Sequence, residues 1–226
     1  MVVHLQSSTA PALGRLSQVD VREVWPSEAN SFTPWLAQEE NLRLLAETIN
    51  MSLILEAREK PVGMFRADII ARNVHTGHLV LIENQLERTD HGHLGQLITY
   101  AAGLKAVSIV WVSSLFTDEH RAAFDWLNEV TDAGIAFYGL EMELWQIGDS
   151  AIAPKFNLVS KPNMFSKRVS ERMSESVGMR ISYFLQEQAA LGRKPSLTEI
   201  MNECHCSRNT AIRYRREQLG DEAGIA

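Results

Sequence analysis

Residues 63–104 read GMFRADIIARNVHTGHLVLIENQLERTDHGHLGQLITYAAGL, and they contain the most informative pattern in the chain. The pattern predicts two strands joined by a turn at Thr76 and Gly77, followed by a helix. Asp68 and Glu83 interrupt the otherwise apolar strands. An unpaired carboxylate in a β-sheet core is unfavourable by several kcal/mol, so we expect a partner for these two, and a divalent cation is the usual one.

The second strand of this stretch carries polar side chains at its end. Side chains alternate along a strand, so Glu83 and Gln85 are predicted on one face and Asn84 on the other. Asp68 lies on the neighbouring strand and meets Glu83 if the hairpin register brings the two alongside. The pattern therefore predicts an acidic site on two adjacent strands of a sheet.

The helix after the hairpin adds polar groups to this region. Thr89 or Asp90 is predicted to cap it, and it runs to about Leu104. One flank of the helix carries a row of polar side chains, namely His93, Gln96 and Tyr100. The run AVSIVWV at 106–112 then predicts a buried strand, so that strand, helix and strand form a crossover between parallel strands.

Further elements are predicted on both sides of this stretch. Before it we expect a strand at Val19–Trp25, a helix over about 34–49 with Thr33 as N-cap, and a strand at Leu53–Ala57 that ends in a turn at 59–63. After it we expect a helix over about Thr117–Asp132, then strands at Ile135–Leu140 and Met142–Ile147.

The C-terminal part has a different composition. A polar stretch from Ser160 is predicted to be a linker, so we place a domain boundary between residues 160 and 161. A helix over about 166–191 follows, with a break near Gly178. Two short helices over 196–203 and 207–219 then have the pattern of a helix-turn-helix. Its second helix supplies residues suited to base edges and phosphates, namely Arg208, Asn209, Arg213, Arg215 and Arg216.

Charge divides the chain at the same place. The net charge is -6 at pH 7, but residues 1–160 hold 11 Lys+Arg against 20 Asp+Glu, and residues 161–226 hold 11 against 8. An acidic body with a basic tail indicates that the tail contacts phosphates. No apolar run is long enough to span a bilayer and no secretion signal is evident, so we expect a cytoplasmic protein without membrane contact.

An Asp followed about fifteen residues later by a Glu on adjacent strands is a pattern suited to binding Mg²⁺ or Mn²⁺ for phosphodiester cleavage. Asp68 with Glu83, Asn84 and Gln85 resembles the PD-(D/E)XK nuclease superfamily over roughly residues 35–145. Gln96 and Tyr100, four apart on the next helix, resemble its RecB-like/Cas4-like branch. The resemblance implies an α/β fold with a restriction-endonuclease-like mixed sheet flanked by helices, to which the chain adds a small all-α helix-turn-helix domain.

The resemblance also implies roles for particular residues. Asp68 and Glu83 would hold the metal, with the Asn84 carbonyl as a third ligand and Glu40 or Glu39 as an outer one. Gln85 would take the catalytic place where the family usually has a lysine, and the residues near the DNA strand would be His93, Gln96 and Tyr100. Glutamine forms hydrogen bonds but supplies no charge, so Arg66, Lys60 or His93 would have to provide it.

Three functions remain open at this point. The preferred one is a metal-dependent DNA endonuclease or exonuclease whose tail binds DNA. The second is a DNA-binding or regulatory protein with an inactive nuclease fold, for which Gln85 is the sign. The third is a protein–protein interaction module. DNA is the expected partner, and a homodimer is left open.

Structural interpretations compete with the functional ones at several residues. Asp68 and Glu83 can belong to a purely structural network in which Asp68 pairs with Arg66 or Arg72. His91 and His93 form either a metal pair or, more commonly near a helix start, exposed capping or phosphate contacts. The sequence Cys204-His205-Cys206 resembles part of a zinc site but has the wrong spacing, so small core residues are expected there, with no disulfide.

Overall fold

The computed structural model describes residues 13–62, 65–132 and 134–219, which form two compact units. The first unit ends at Pro162, and the second begins at Asn163. Among the described residues, no helix combines the length and the apolar composition that crossing a bilayer requires.

A mixed sheet of seven strands runs through the described part of the first unit. Its strands are β1 Leu16–Val19, β2 Leu53–Val62, β3 Phe65–Asn73, β4 Leu79–Asn84, β5 Ser108–Ser113, β6 Ala136–Ile147 and β7 Ala153–Ser160. They lie in the order β1-β6-β5-β4-β3-β2, with β7 also paired to β6. The β4–β5 and β5–β6 pairs are parallel and the other pairs are antiparallel. The predicted mixed sheet is confirmed.

Helices cover both faces of this sheet. They are α1 Val21–Val24, a π-helical turn at Glu28–Phe32, α2 Thr33–Leu36, α3 Glu39–Thr48, α4 His91–Leu104 and α5 Asp118–Val130. On one face, Phe32 and Leu42 share a buried cluster with Val110 of β5. On the other face, Leu97 of α4 shares a buried cluster with Trp111 of β5. The sheet is therefore a central layer between two helical layers.

Strand β4 shows the predicted alternation. Val80 and Ile82 are buried in the cluster that α1 to α3 cover, whereas Leu81 is buried in the cluster that α4 and α5 cover. Glu83 continues the side of Leu81, so it faces the α4 layer. The parallel pairing of β4 with β5 makes α4 the crossover helix between them.

The predicted strand at 19–25 is wrong. Strand β1 ends at Val19 and helix α1 begins at Val21. Asp20 separates the two because its side chain caps the helix, with the Arg22 N–H donating to Asp20 Oδ1 at 2.8 Å.

The predicted single helix over 34–49 is also wrong, because it is two helices, α2 and α3. Gln38 adopts an extended backbone between them. Asn41 secures this corner by donating from Nδ2 to the Trp35 carbonyl at 2.8 Å and to the Gln38 side chain at 3.0 Å. Thr33 is the first residue of α2 and makes no capping hydrogen bond, so its predicted role as N-cap is wrong.

β2 and β6 differ in extent from the prediction, and β7 was not predicted. β2 runs past the predicted end at Ala57 and through the predicted turn, with Glu59 at a φ of 49°. β6 is one continuous strand where two were predicted, over 135–140 and 142–147. β7 is absent from the prediction, and Pro154 lies near its start. At the edge of a sheet such a proline is tolerated.

The described residues of the second unit are helical, with α6 Met164–Ala190, α7 Leu197–Cys204 and α8 Arg208–Leu219. Their shared core consists of Ile181, Leu185, Ile200, Cys204 and Ala211. Ser196 begins α7 with a capping box that includes Glu199. The two short C-terminal helices are present as predicted, and their classification as a helix-turn-helix stays a prediction.

Helix α6 is longer than the sequence indicates. It begins at Met164, within the stretch predicted to be a linker, and it continues through Gly178 without the predicted break. A Cβ atom at position 178 would clash with the hydroxyl group of Tyr214. The glycine thus permits the close approach of α8 to α6.

Candidate active site

The structure brings the two acidic residues of the hairpin together. β3 and β4 pair so that Ile69 lies opposite Ile82, which places Asp68 and Glu83 at neighbouring positions where the pairing ends. The backbone N–H of Asp68 donates to Oε1 of Glu83 at 3.3 Å. Glu83 is 3% exposed and Asp68 is partly buried. Two carboxylates therefore share a poorly hydrated place where the pairing of two interior strands ends.

This arrangement is unfavourable for two negative charges. Burial raises the pKa of Glu83, and the nearby charge of Asp68 raises it further. Burial also raises the pKa of Asp68, although the hydrogen bond from the Asn84 backbone opposes this. Glu59, which lies between the partners of Ile69 and Ala67 on β2, adds its own charge to both. The site accordingly favours a proton or a cation.

Asn84 and Thr33 hold the Asp68 carboxylate from one side. Asn84 donates to Asp68 Oδ2 from its backbone N–H at 2.9 Å and from its side-chain Nδ2 at 2.8 Å. The Thr33 hydroxyl in turn donates to Asn84 Oδ1 at 3.0 Å, and both residues are buried. The hydroxyl fixes which way the Asn84 amide faces, and the amide fixes the carboxylate. The sequence-based reasoning missed this role of Thr33.

The side chain of Gln85 is buried and fully engaged. Its Oε1 accepts a hydrogen bond from the Trp111 indole N–H at 2.9 Å. Its Nε2 lies 2.7 Å from the Arg88 carbonyl and 3.3 Å from Asp90 Oδ2. Gln85 thus links the loop between β4 and α4 to β5 through hydrogen bonds. Its direct catalytic role stays a prediction.

The three polar residues predicted to form a row on α4 differ in their exposure to solvent. Tyr100 is 3% exposed, and burial together with the charges of Glu83 and Asp68 raises its pKa. Gln96 is exposed. His93 is partly buried, and its Nδ1 lies 2.6 Å from Asp90 Oδ2. The predicted DNA contacts of these three residues stay predictions.

The structure places the other predicted acidic ligand away from these contacts. Glu40 is exposed in the first turn of α3, where it lines a shallow surface depression with Glu39. The acidic residues whose charges act on Asp68 are instead Glu59 and Glu28. The metal-binding role of Glu40 stays a prediction. No sequence signal distinguished Glu40 from Glu59, because the fold decides which carboxylate reaches the site.

Two of the alternative interpretations named partners for Arg72 and His91, and the structure shows other partners for both residues. Arg72 bonds Glu56 at 2.5 Å rather than Asp68. His91 bonds His120 at 2.8 Å rather than forming a pair with His93. No group of three or more His, Cys, Asp and Glu side chains suited to a metal occurs within the described ranges. A cation here would therefore depend on the two carboxylates, a main-chain carbonyl and water.

The residues predicted to read DNA lie on α8. Arg208, Asn209, Arg213 and Arg216 are exposed, and Arg215 is partly buried. The Arg213 guanidinium lies 4.9 Å from the ring centroid of Tyr214. Ser207 caps the helix by accepting from the Thr210 N–H at 3.2 Å. Both cysteines near this helix are free thiols, and Cys204 belongs to the apolar core, as expected.

Comparison with known proteins finds two solved structures to which part of this chain is similar. No known protein-family profile matches the sequence, and no curated protein matches it. Among solved structures, a repair endonuclease from Pyrococcus abyssi shares 22% identity and a TM-score of 0.39, covering 51% of this chain and 47% of its own. The EndoMS-dsDNA2 complex shares 20% identity and a TM-score of 0.39, covering 61% and 49%. The chain spans about half the length of each.

The acidic pair predicts a change in stability. In metal-free protein, we expect Glu83→Gln to raise the free energy of unfolding at pH 8 by on the order of 1–2 kcal/mol, because folding then no longer requires this carboxyl to take up a proton, and the glutamine keeps an acceptor for the Asp68 N–H. The raised pKa means that the folded protein binds this proton more tightly than the unfolded chain does. Stability therefore falls as pH rises from the ordinary to the raised pKa, and the gain disappears toward pH 4.

Thermal unfolding in EDTA across this pH range measures the effect. Glu129→Gln, at an exposed position on α5, is the matched control and should change little. A melting temperature for Glu83→Gln below that of the parent protein at pH 8 would contradict the electrostatic description of the site.

Proposed function

We propose that this protein is a DNA nuclease whose first unit hydrolyses phosphodiester bonds with a divalent cation, Mg²⁺ or Mn²⁺, held by Asp68 and Glu83. The observation that carries the proposal is the placement of these two acidic residues side by side where the β3–β4 pairing ends, with the Asp68 backbone N–H donating to the Glu83 carboxylate. Each has a raised pKa because of burial, and the charge of Asp68 raises that of Glu83 further. Maintaining such a pair is costly for folding alone, and binding a cation offsets that cost.

The residues present fit a hard cation. Carboxylate and carbonyl oxygens are the ligands that Mg²⁺ prefers, and two carboxylates leave room for water and a phosphate oxygen. The cation, when bound, would lower the pKa of a coordinated water and neutralise charge on the phosphate. The Thr33–Asn84 hydrogen bonds keep Asp68 oriented, and Asn84 would add its carbonyl as a ligand.

Other residues of this chain support the same chemistry. The charges of the two carboxylates raise the pKa of Tyr100, and Gln96 is exposed one helical turn before it on α4. The resemblance of this Gln-Tyr pair to the RecB-like/Cas4-like branch is the reason to assign it to the DNA strand. The reaction would leave one phosphate monoester end and one hydroxyl end.

A second function is favoured by Gln85. Its amide is neutral and is engaged with Trp111, Arg88 and Asp90, so it brings no charge to the site. A DNA-binding or regulatory protein with an inactive nuclease fold would also show this arrangement. Such a protein would bind DNA without cleaving it.

Cleavage assays distinguish these two functions. We expect the protein to cut plasmid, linear duplex or single-stranded DNA in Mg²⁺ or Mn²⁺ and not in EDTA, with RNA as the comparison substrate. Asp68→Asn should lower the rate by about 100-fold or more, because it removes a charged ligand of the cation that acts on the reacting phosphate. Glu129→Gln is again the control. DNA binding without cleavage under every condition would favour the inactive fold.

The second unit is proposed to hold the DNA as a helix-turn-helix, with α8 as the recognition helix. Its exposed arginines suit phosphates and guanine edges, and Asn209 suits adenine. A duplex bound there would be released by salt.

The salt dependence tests this role of α8. Replacing Arg208, Arg213 and Arg216 together with alanine should reduce the slope of log affinity against log salt by about 0.9 for each phosphate that the variant no longer neutralises. Fluorescence anisotropy with a labelled duplex at several salt concentrations measures the slope. Lys194→Ala, at an exposed position before α7, is the control. Salt-insensitive binding, or an unchanged slope in the triple variant, would contradict the assignment.

A further inference from the structure

We propose that His93, held by Asp90, supplies the positive charge beside Asp68 and Glu83 that a lysine at position 85 would supply, and that Gln85 positions this pair. The inference rests on the proposed nuclease function and names a further residue of the same site. It also explains why a neutral side chain at position 85 is compatible with activity.

The Gln85 side chain connects strand β5 to the loop before α4 by hydrogen bonds. Its Oε1 needs a donor and receives the Trp111 indole N–H at 2.9 Å. This bond fixes the orientation of the amide, so Nε2 is directed to the Arg88 carbonyl at 2.7 Å and to Asp90 Oδ2 at 3.3 Å. A lysine cannot accept from Trp111, so this arrangement requires an amide.

Asp90 connects Gln85 to His93. Its Oδ1 accepts the backbone N–H of His93 at 2.9 Å and thereby caps α4. Its Oδ2 lies 2.6 Å from His93 Nδ1. At this distance the Asp90 carboxylate accepts an N–H from Nδ1. With Nδ1 bound to Asp90, Nε2 is the ring nitrogen left to meet a ligand.

The face of α4 on which His93 lies is the face toward the carboxylates. His93, Leu97 and Tyr100 are spaced by four and three residues, so they form one stripe. Leu97 and Tyr100 are both buried against the sheet. Tyr100 lies near Glu83 and Asp68, and the charge of His93 acts on Asp68 as well. His93 thus stands on the same stripe, two turns closer to the start of the helix.

The role assigned to His93 is electrostatic. A charged imidazole at this place donates an N–H to a phosphate oxygen and offsets the negative charge that accumulates during hydrolysis. No proton has to leave the ring for this contribution. A lysine ammonium in related sites would act through the same kind of charge and donor.

Four variants test the inference: His93→Gln, His93→Lys, Asp90→Asn and Gln85→Lys, with His75→Gln, at an exposed turn position, as control. We expect His93→Gln to lower the cleavage rate by about 100-fold and His93→Lys to restore much of it. Gln85→Lys should lower both the rate and the melting temperature. The stabilisation of the protein by Mn²⁺ should persist in His93→Gln, because the cation ligands are intact.

A second readout does not depend on cleavage. In NMR spectra of metal-free protein labelled with ¹⁵N-histidine, the His93 signals should shift in Asp90→Asn and in Gln85→Lys and stay unchanged in His75→Gln. Wild-type cleavage by His93→Gln, a gain of activity in Gln85→Lys, or His93 signals unaffected by Asp90→Asn would overturn the inference. Absence of any Mn²⁺ stabilisation in the wild-type protein would instead overturn the proposed function from which it starts.

Discussion

The candidate site depends on two carboxylates that lie in a poorly hydrated part of the fold. Asp68 and Glu83 meet at the end of the β3–β4 pairing, and burial raises the pKa of each. A protein that needed only a stable sheet would place apolar residues there, because buried like charges weaken the folded state. The surrounding hydrogen bonds do not neutralise this pair; they orient it. Such an arrangement is typical of a site prepared for a cation.

The connections around the pair come from both layers of the fold. Thr33, on the α2 side, reaches the site through Asn84, and Tyr100 approaches it from α4. Gln85 joins β4 to the start of α4 through Trp111 and the loop carbonyl. Hydrogen bonds therefore join Asp68 to Asn84 and Thr33, and they join Gln85 to the central strand and to the loop before the crossover helix. The proposed nuclease function uses each of these parts.

The hairpin and its acidic pair could be predicted from the sequence because they depend on local rules. Alternation along β4 places Glu83 on the α4 side, and Asp90 is a recognisable helix cap. The remaining interactions depend on residues brought together only by the fold. Thr33 lies 51 residues from Asn84, and its spacing suggested a cap instead. The choice between Glu40 and Glu59 as the nearby carboxylate likewise has no local signal.

Calorimetric titration of Mn²⁺ into metal-free protein tests the central claim most directly. At neutral pH, in two buffers of different ionisation enthalpy, the account predicts one cation per chain and release of protons on binding, because the cation displaces a proton from carboxyls whose pKa is raised. Asp68→Asn should lose this binding. Absence of binding, or binding that is equally tight in Asp68→Asn, would contradict it.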